Sequence, residues 1–238
     1  TDAGALILKD DAHMEILGSA EIQASRFTRR RVTRILNHRG INHANVVIPY
    51  APPNSIEAIR ARTIAPDGTV NRLMPEEIHD ITLYPDFIFF SDQRARIFTM
   101  PAVEPGAVIE YEYTHHIQGR SLWHSWAFQH TDPILLSRFA LSAPSEWNIR
   151  WKIHNLDLEP RVEKAPEGFR SHYVWEAREI PALENEFGMP TFGEGGAWLS
   201  LAPFWIDDWS DVTRWIHGLW QEPLKAGRPV KALADSLC

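Results

Sequence analysis

The run Val103-Glu104-Pro105-Gly106-Ala107-Val108-Ile109-Glu110-Tyr111-Glu112-Tyr113-Thr114 decides the fold. Pro105-Gly106 supplies a turn, because proline presets φ and glycine accepts a positive one. Beyond it, Val108, Glu110, Glu112 and Thr114 fall on one face and Ile109, Tyr111 and Tyr113 on the other. Alternation written in β-branched and aromatic residues marks a strand with one face in a core and the other in water. The chain is therefore expected to be mainly β.

Similar short runs lie on both sides of this strand, at 5–8, 26–36, 45–50, 55–64 and 70–73, and then at 122–129, 134–143, 148–153, 173–177 and 198–205. Pro66-Asp67-Gly68-Thr69 reads as a hairpin turn, with Ile56 and Ile59 off strict alternation in the strand before it. Lys9-Asp10-Asp11 is expected to be a turn, residues 159–170 a polar loop, and Pro75-Glu76-Glu77-Ile78 one helical turn. Strands separated by turn signals at about 8–12 residues suggest an antiparallel β-sandwich. Composition changes after Ile180. Gly193-Glu194-Gly195-Gly196 marks an irregular stretch, and Trp209, Val212, Ile216, Leu219 and Trp220 then recur at helical spacing. Arg228-Pro229 opens a second apolar helical pattern, which is expected to continue into a longer polypeptide.

Composition excludes several function classes. The chain has 238 residues, 24 basic against 31 acidic, and a net charge of −7, which disfavours a nucleic-acid partner. No apolar run approaches the roughly 20 residues that span a bilayer. Cys238 is the sole cysteine, so an internal disulfide and a multi-cysteine zinc site are both impossible. The ten tryptophans are expected to serve packing, with a ligand platform as the alternative.

The arginine-rich run of 26–36 places Arg29 and Arg31 on one face with Phe27, Thr33 and Ile35, and Arg30 on the other with Val32, Arg34 and Leu36. It reads either as a patch for phosphate or an acidic partner, or as charge protecting an edge strand; the acidic balance favours the edge. His115, His116, His124 and His130, with Asp132, form the densest histidine group. His115 and His116 face opposite ways on a strand, and no His-Glu-x-x-His spacing occurs, so no metal is expected. A Gly-x-Ser-x-Gly elbow is absent, and residues 193–196 lack the Lys-Ser/Thr ending of a phosphate loop. Glu110 and Glu112 form the ordinary outward pattern of a half-solvated sheet, and Cys238 has no positioned base. No catalytic, cofactor-binding or metal-binding residue is assigned.

Several segments together resemble DUF3857, the N-terminal module of bacterial transglutaminase-like proteins. They are residues 62–70 (Arg62 to Val70), 103–111, Trp126-Ala127-Phe128-Gln129 with Asp132-Pro133-Ile134, and 173–183 (Tyr173 to Leu183). Trp209-Ser210-Asp211-Val212-Thr213-Arg214-Trp215 resembles the joint leading into the transglutaminase-like domain. The resemblance implies a sandwich similar to the N-terminal β domain of M1 aminopeptidases over residues 1–205, with 206–238 a helical linker and the start of the next domain. It implies a periplasmic or secreted accessory module whose partners are that downstream domain and a polypeptide substrate. The Cys-His-Asp chemistry would then lie beyond this chain, since Cys238 lacks the family's Gly-x-Cys setting. The alternatives are an independent glycan- or peptide-binding module using Trp123 and Trp198, or a hydrolase with a metal or triad in a cleft.

Overall fold

The computed structural model describes residues 3–18, 23–84, 91–119, 125–164, 168–184, 188, 195–202, 204–221 and 227. In chain order the strands are β1 (Ala5–Gly18), β2 (Gln23–Ile35), β3 (Asn45–Tyr50), β4 (Ser55–Ile64), β5 (Val70–Arg72), β6 (His79–Thr82) and β7 (Arg94–Thr99). They continue with β8 (Val108–Gln118), β9 (Trp126–Ala127), β10 (Ile134–Pro144), β11 (Arg150–His154), β12 (Arg161–Lys164), β13 (Arg170–Ile180) and β14 (Trp198–Ala202). A helix, α1 (Trp209–Gln221), follows. Eight strands form one broad sheet in the order β12-β13-β10-β1-β2-β8-β4-β5, and two three-stranded sheets run β11-β14-β9 and β3-β7-β6.

The alternation in β8 sets which face is inside. Ile109 and Tyr113 are buried, and across β2 they stand opposite Thr33 and Arg29, with Tyr111 opposite Arg31. Both small sheets pack on this inner face. Trp151 of β11 meets Tyr173 and Trp175 of β13 with ring centroids 5.8 Å apart, and Trp126 of β9 lies 5.7 Å from Phe139 of β10. Phe98 of β7 meets Tyr111 edge-on at 6.2 Å. Large aromatic areas removed from water in this way supply most of the driving force for the layers to stack.

Five expectations are corrected. Lys9-Asp10-Asp11 is not a turn: β1 runs through it, with a bulge between Ile7 and Lys9 that shifts the alternation and turns Asp10 inward. The arginine strand β2 is not an edge, since it pairs along its length with β1 and β8. The sheet is not purely antiparallel, because β1 and β10 pair in parallel. A parallel pair needs a long crossover, and the chain from β2 to β9 provides it. Within the expected loop, residues 161–164 form β12, an exposed strand at the sheet edge, held by its register to β13. The expected strand over 122–129 is reduced, among the described residues, to Trp126–Ala127.

Other expectations match. A bulge between Glu57 and Arg60, with Ala58 at φ 52°, accounts for the broken alternation of Ile56 and Ile59. Gly68, at φ 88°, closes the β4–β5 hairpin. The Pro75–Glu77 turn is a single 3-10 turn. His124, Trp123, residues 191–194 and the pattern from Arg228 onward lie outside the described residues.

Candidate functional site

A cavity opens on the inner face of β2 and β8 beside β3, and polar groups collect there. A 3-10 segment, His38–Ala44, forms one wall. It begins where Asn37 Oδ1 accepts the Arg39 backbone N–H at 2.9 Å, while Asn37 Nδ2 donates to the Ala3 carbonyl at 3.0 Å. Gly40 is required here by close approach, since a Cβ at that position would lie 2.1 Å from the Gly4 carbonyl oxygen. The segment carries His43 to Asp132, whose Oδ2 lies 2.8 Å from His43 Nε2 and whose Oδ1 accepts the Ala5 backbone N–H at 3.2 Å. The resulting cavity holds about 680 Å³ and is lined by Arg31, Thr33, Arg39, His43, Tyr111 and Asp132, with Val46 and Val47 of β3 along one side. Among the described residues β3 pairs with β7 alone, so its other edge is unpaired.

Beneath the cavity lies a buried charge cluster built by strand register. Asp10 faces Arg31 across the β1–β2 pair, and Arg29 is its diagonal neighbour. Arg29 forms a two-pronged contact, Nε to Oδ1 at 2.9 Å and Nη2 to Oδ2 at 2.7 Å. Arg31 Nη2 reaches the same Oδ2 at 3.2 Å. The Asp10 side chain is fully buried. A lone carboxylate in that position would cost several kcal/mol, and the two guanidiniums compensate it. Arg29 also lies 5.0 Å over the Trp126 ring, and Trp126 donates its indole N–H to Ser137 Oγ at 3.1 Å.

Burial alone would raise the Asp10 carboxyl, yet Arg29, Arg31 and the hydrogen bonds around it hold it far below the usual carboxylate range. Burial likewise works against the Arg29 charge, and Asp10 outweighs it and pushes the guanidinium up. His130 Nε2 approaches Asp10 Oδ2 at 3.4 Å without good hydrogen-bond geometry. Burial lowers its pKa below 6.5, the nearby arginines work in the same direction, and Asp10 opposes them only in part. The imidazole is neutral at pH 7. The cluster therefore holds a permanently ionised acid and permanently ionised bases, and neither is placed to exchange a proton near neutral pH.

The histidine group of the sequence is dispersed. His115 is buried on the inner face, His116 points outward to Glu57 at 3.4 Å, His130 turns to Asp10, and Asp132 pairs with His43 instead. Among the described residues no three His, Cys, Asp or Glu side chains group to hold a metal. Trp198 stacks face to face on His154 at 4.2 Å, which occupies one side of that ring. On the outer face, Ser142 Oγ lies 2.7 Å from both His13 Nε2 and His172 Nδ1. Ser142 is 2 % exposed, and its hydroxyl ties three strands together at a small outer cavity that it lines with both histidines.

Asp10, Arg29, Arg31 and His43 were not assigned from sequence. One signal was legible: two arginines share a strand face with Phe27, Thr33 and Ile35, and buried cations require a buried acid opposite. Which acid that is depends on the bulge in β1.

Comparison with known proteins identifies a family and a shared fold. Residues 23–184 match the family model described as Domain of Unknown Function with solved-structure structure (DUF3857). A crystal structure from Parabacteroides distasonis, of a protein provisionally described as a protease, superposes with a TM-score of 0.72 at 16 % identity. The alignment covers 84 % of this chain and 40 % of that one, so the chain spans well under half of that protein's length, and the likeness establishes the fold. No curated protein matches the sequence.

Proposed function

The chain belongs to the DUF3857 family, and from that premise we propose that it is a non-catalytic accessory module of an exported bacterial transglutaminase- or protease-like protein. In this reading it holds a stretch of polypeptide in the central cleft and positions it for a downstream enzyme domain. Residues 1–205 form the module and 206–238 lead toward that domain. Kinship with the N-terminal β domain of M1 aminopeptidases belongs to the same proposal. Its support is the mainly β architecture and the likeness to a longer protein provisionally described as a protease.

The observation that carries the reading is the union of a β3 edge that is unpaired among the described residues with a polar cavity above the Asp10–Arg29 ion pair. An extended peptide can add to a free strand edge through main-chain hydrogen bonds, with side-chain pockets setting specificity. A cluster in which Asp10 stays ionised and His130 stays neutral favours binding over proton transfer.

The test uses the full polypeptide containing this chain. Val47, 57 % exposed beside the cavity, is replaced by arginine to obstruct the β3 edge. The expected result is a raised KM for polypeptide substrate with little change in kcat, and an unchanged rate on a small chromogenic amide. Equal KM values in variant and parent would refute the reading. Turnover by residues 1–238 alone would refute it equally.

A further inference from the structure

We propose that the cleft is a carboxylate receptor, with Arg31 as its anchoring cation, so that the polypeptide it takes presents a free C-terminus or an acidic side chain. This deepens the polypeptide-binding reading and rests on it.

Arg29 and Arg31 are not equivalent. Arg29 saturates Asp10 with a two-pronged contact at 2.9 and 2.7 Å, which matches one guanidinium to one carboxylate. Arg31 is left with a single 3.2 Å approach to an oxygen that Arg29 already occupies. Its Nε lies buried with no hydrogen-bond partner. Guanidinium has five N–H donors and no way to lose its charge. Arg31 lines the cavity with its side chain 15 % exposed while Asp10 engages only its Nη2, so the exposed part of the guanidinium is the part a ligand meets.

Charge in the cavity points the same way. Two guanidiniums, Arg29 and Arg31, share the one carboxylate of Asp10, so that pair of cations is only half compensated within the cluster. One surplus cation suits a monoanion. A polyanion is disfavoured by the chain's net charge of −7. The half-buried setting strengthens a charge-assisted contact relative to water. Val46 and Val47 at the same cavity bring the β3 edge within reach, so one ligand can use both.

The experiment titrates the 238-residue chain with four probes. They are an acetylated hexapeptide of alternating threonine and valine as its free acid, the same peptide as its C-terminal amide, an amidated peptide with one internal glutamate, and N-acetylvaline. Calorimetry gives Kd, and the Arg31 Nε–H resonance reports contact at the guanidinium. The free acid is expected to bind roughly tenfold or more tightly than the amide, as a charge-assisted contact provides, and to shift that resonance. In Arg31→Met the preference is expected to disappear. Arg31→Lys keeps the charge without the planar fork and should retain only part of it, and urea unfolding of both variants checks that they fold. The glutamate peptide separates the two carboxylate sources: gain by either acid supports the proposal. Equal binding of the free acid, the amide and the glutamate peptide overturns the carboxylate inference and leaves polypeptide binding standing. Binding of N-acetylvaline as tight as that of the acid peptide keeps the carboxylate receptor and overturns the polypeptide reading. Absence of binding by every probe overturns both.

Discussion

Replacing Asp10 by asparagine tests the physical core of the site. The change is nearly isosteric and removes one negative charge from a position with no solvent exposure. Arg29 and Arg31, whose side chains are 22 % and 15 % exposed, are then left facing an amide with its NH₂ group among their own donors. Breaking a buried ion pair by deleting one partner costs about 3–5 kcal/mol. The asparagine oxygen can keep one hydrogen bond from Arg29, so the lower end, about 3 kcal/mol, is expected for Asp10→Asn. Against a total stability of about 5–15 kcal/mol this is a large fraction. The assay is equilibrium urea unfolding followed by the fluorescence of the ten tryptophans, one of which, Trp126, lies against Arg29. A companion variant, Asp10→Leu with Arg29→Met and Arg31→Met, replaces the charges by apolar groups. Such replacements are often neutral or stabilising, so it should recover most of the lost stability. A loss below about 1 kcal/mol in Asp10→Asn, or a companion variant no more stable than the single one, would refute the view that compensation of a buried charge holds the cluster together.

Four further outcomes follow from the structure. Acid should destabilise the fold in two stages, because the native pKa values of His130 and Asp10 are both lowered and the unfolded chain binds their protons more readily. The His130 contribution is lost as pH falls below about 6.5, with His13 adding to it, and the Asp10 contribution as pH falls below about 3.8. The fall in urea midpoint between pH 7.5 and 5.5 should be smaller in His130→Gln, and an unchanged slope would count against the assignment. Gly40→Ala should lower Tm and cost about 1–3 kcal/mol, since its Cβ meets the Gly4 backbone and not a flexible side chain. Phe139→Ala should cost about 3–5 kcal/mol, because the ring is fully buried between Trp126 and Trp175. Glu110→Gln, by contrast, should change unfolding stability by no more than about 1 kcal/mol, since its partners Arg30 and Arg62 are 45 % and 43 % exposed on the outer face.

Local pattern was enough for most of the secondary structure. The alternation of residues 108–114 carries its own face assignment, and Ile109, Tyr111 and Tyr113 do point inward as it requires. Pro-Asp-Gly at 66–68 fixes a hairpin because its dihedral demands are met within those residues. The helical spacing from Trp209 to Trp220 yields α1 for the same reason. Four resembling segments in order, read across the length of the chain, located the family that residues 23–184 match.

Tertiary structure alone decided the partners of charged residues and the neighbours of strands. Asp10 looks like part of a polar turn, because a one-residue bulge that inverts its direction leaves no mark in a three-residue charge run. β2 looks like an edge because edge protection and burial against a distant acid both place arginines on a strand; pairing on both sides is a property of β1 and β8, not of β2. The parallel β1–β10 pair joins segments more than a hundred residues apart, and His43 meets Asp132 across 89 positions. Periodicity records whether a residue faces oil or water within its own strand. Charge compensation is a sum over whatever the fold brings within a few ångströms, so the site became visible only when the sheet was assembled.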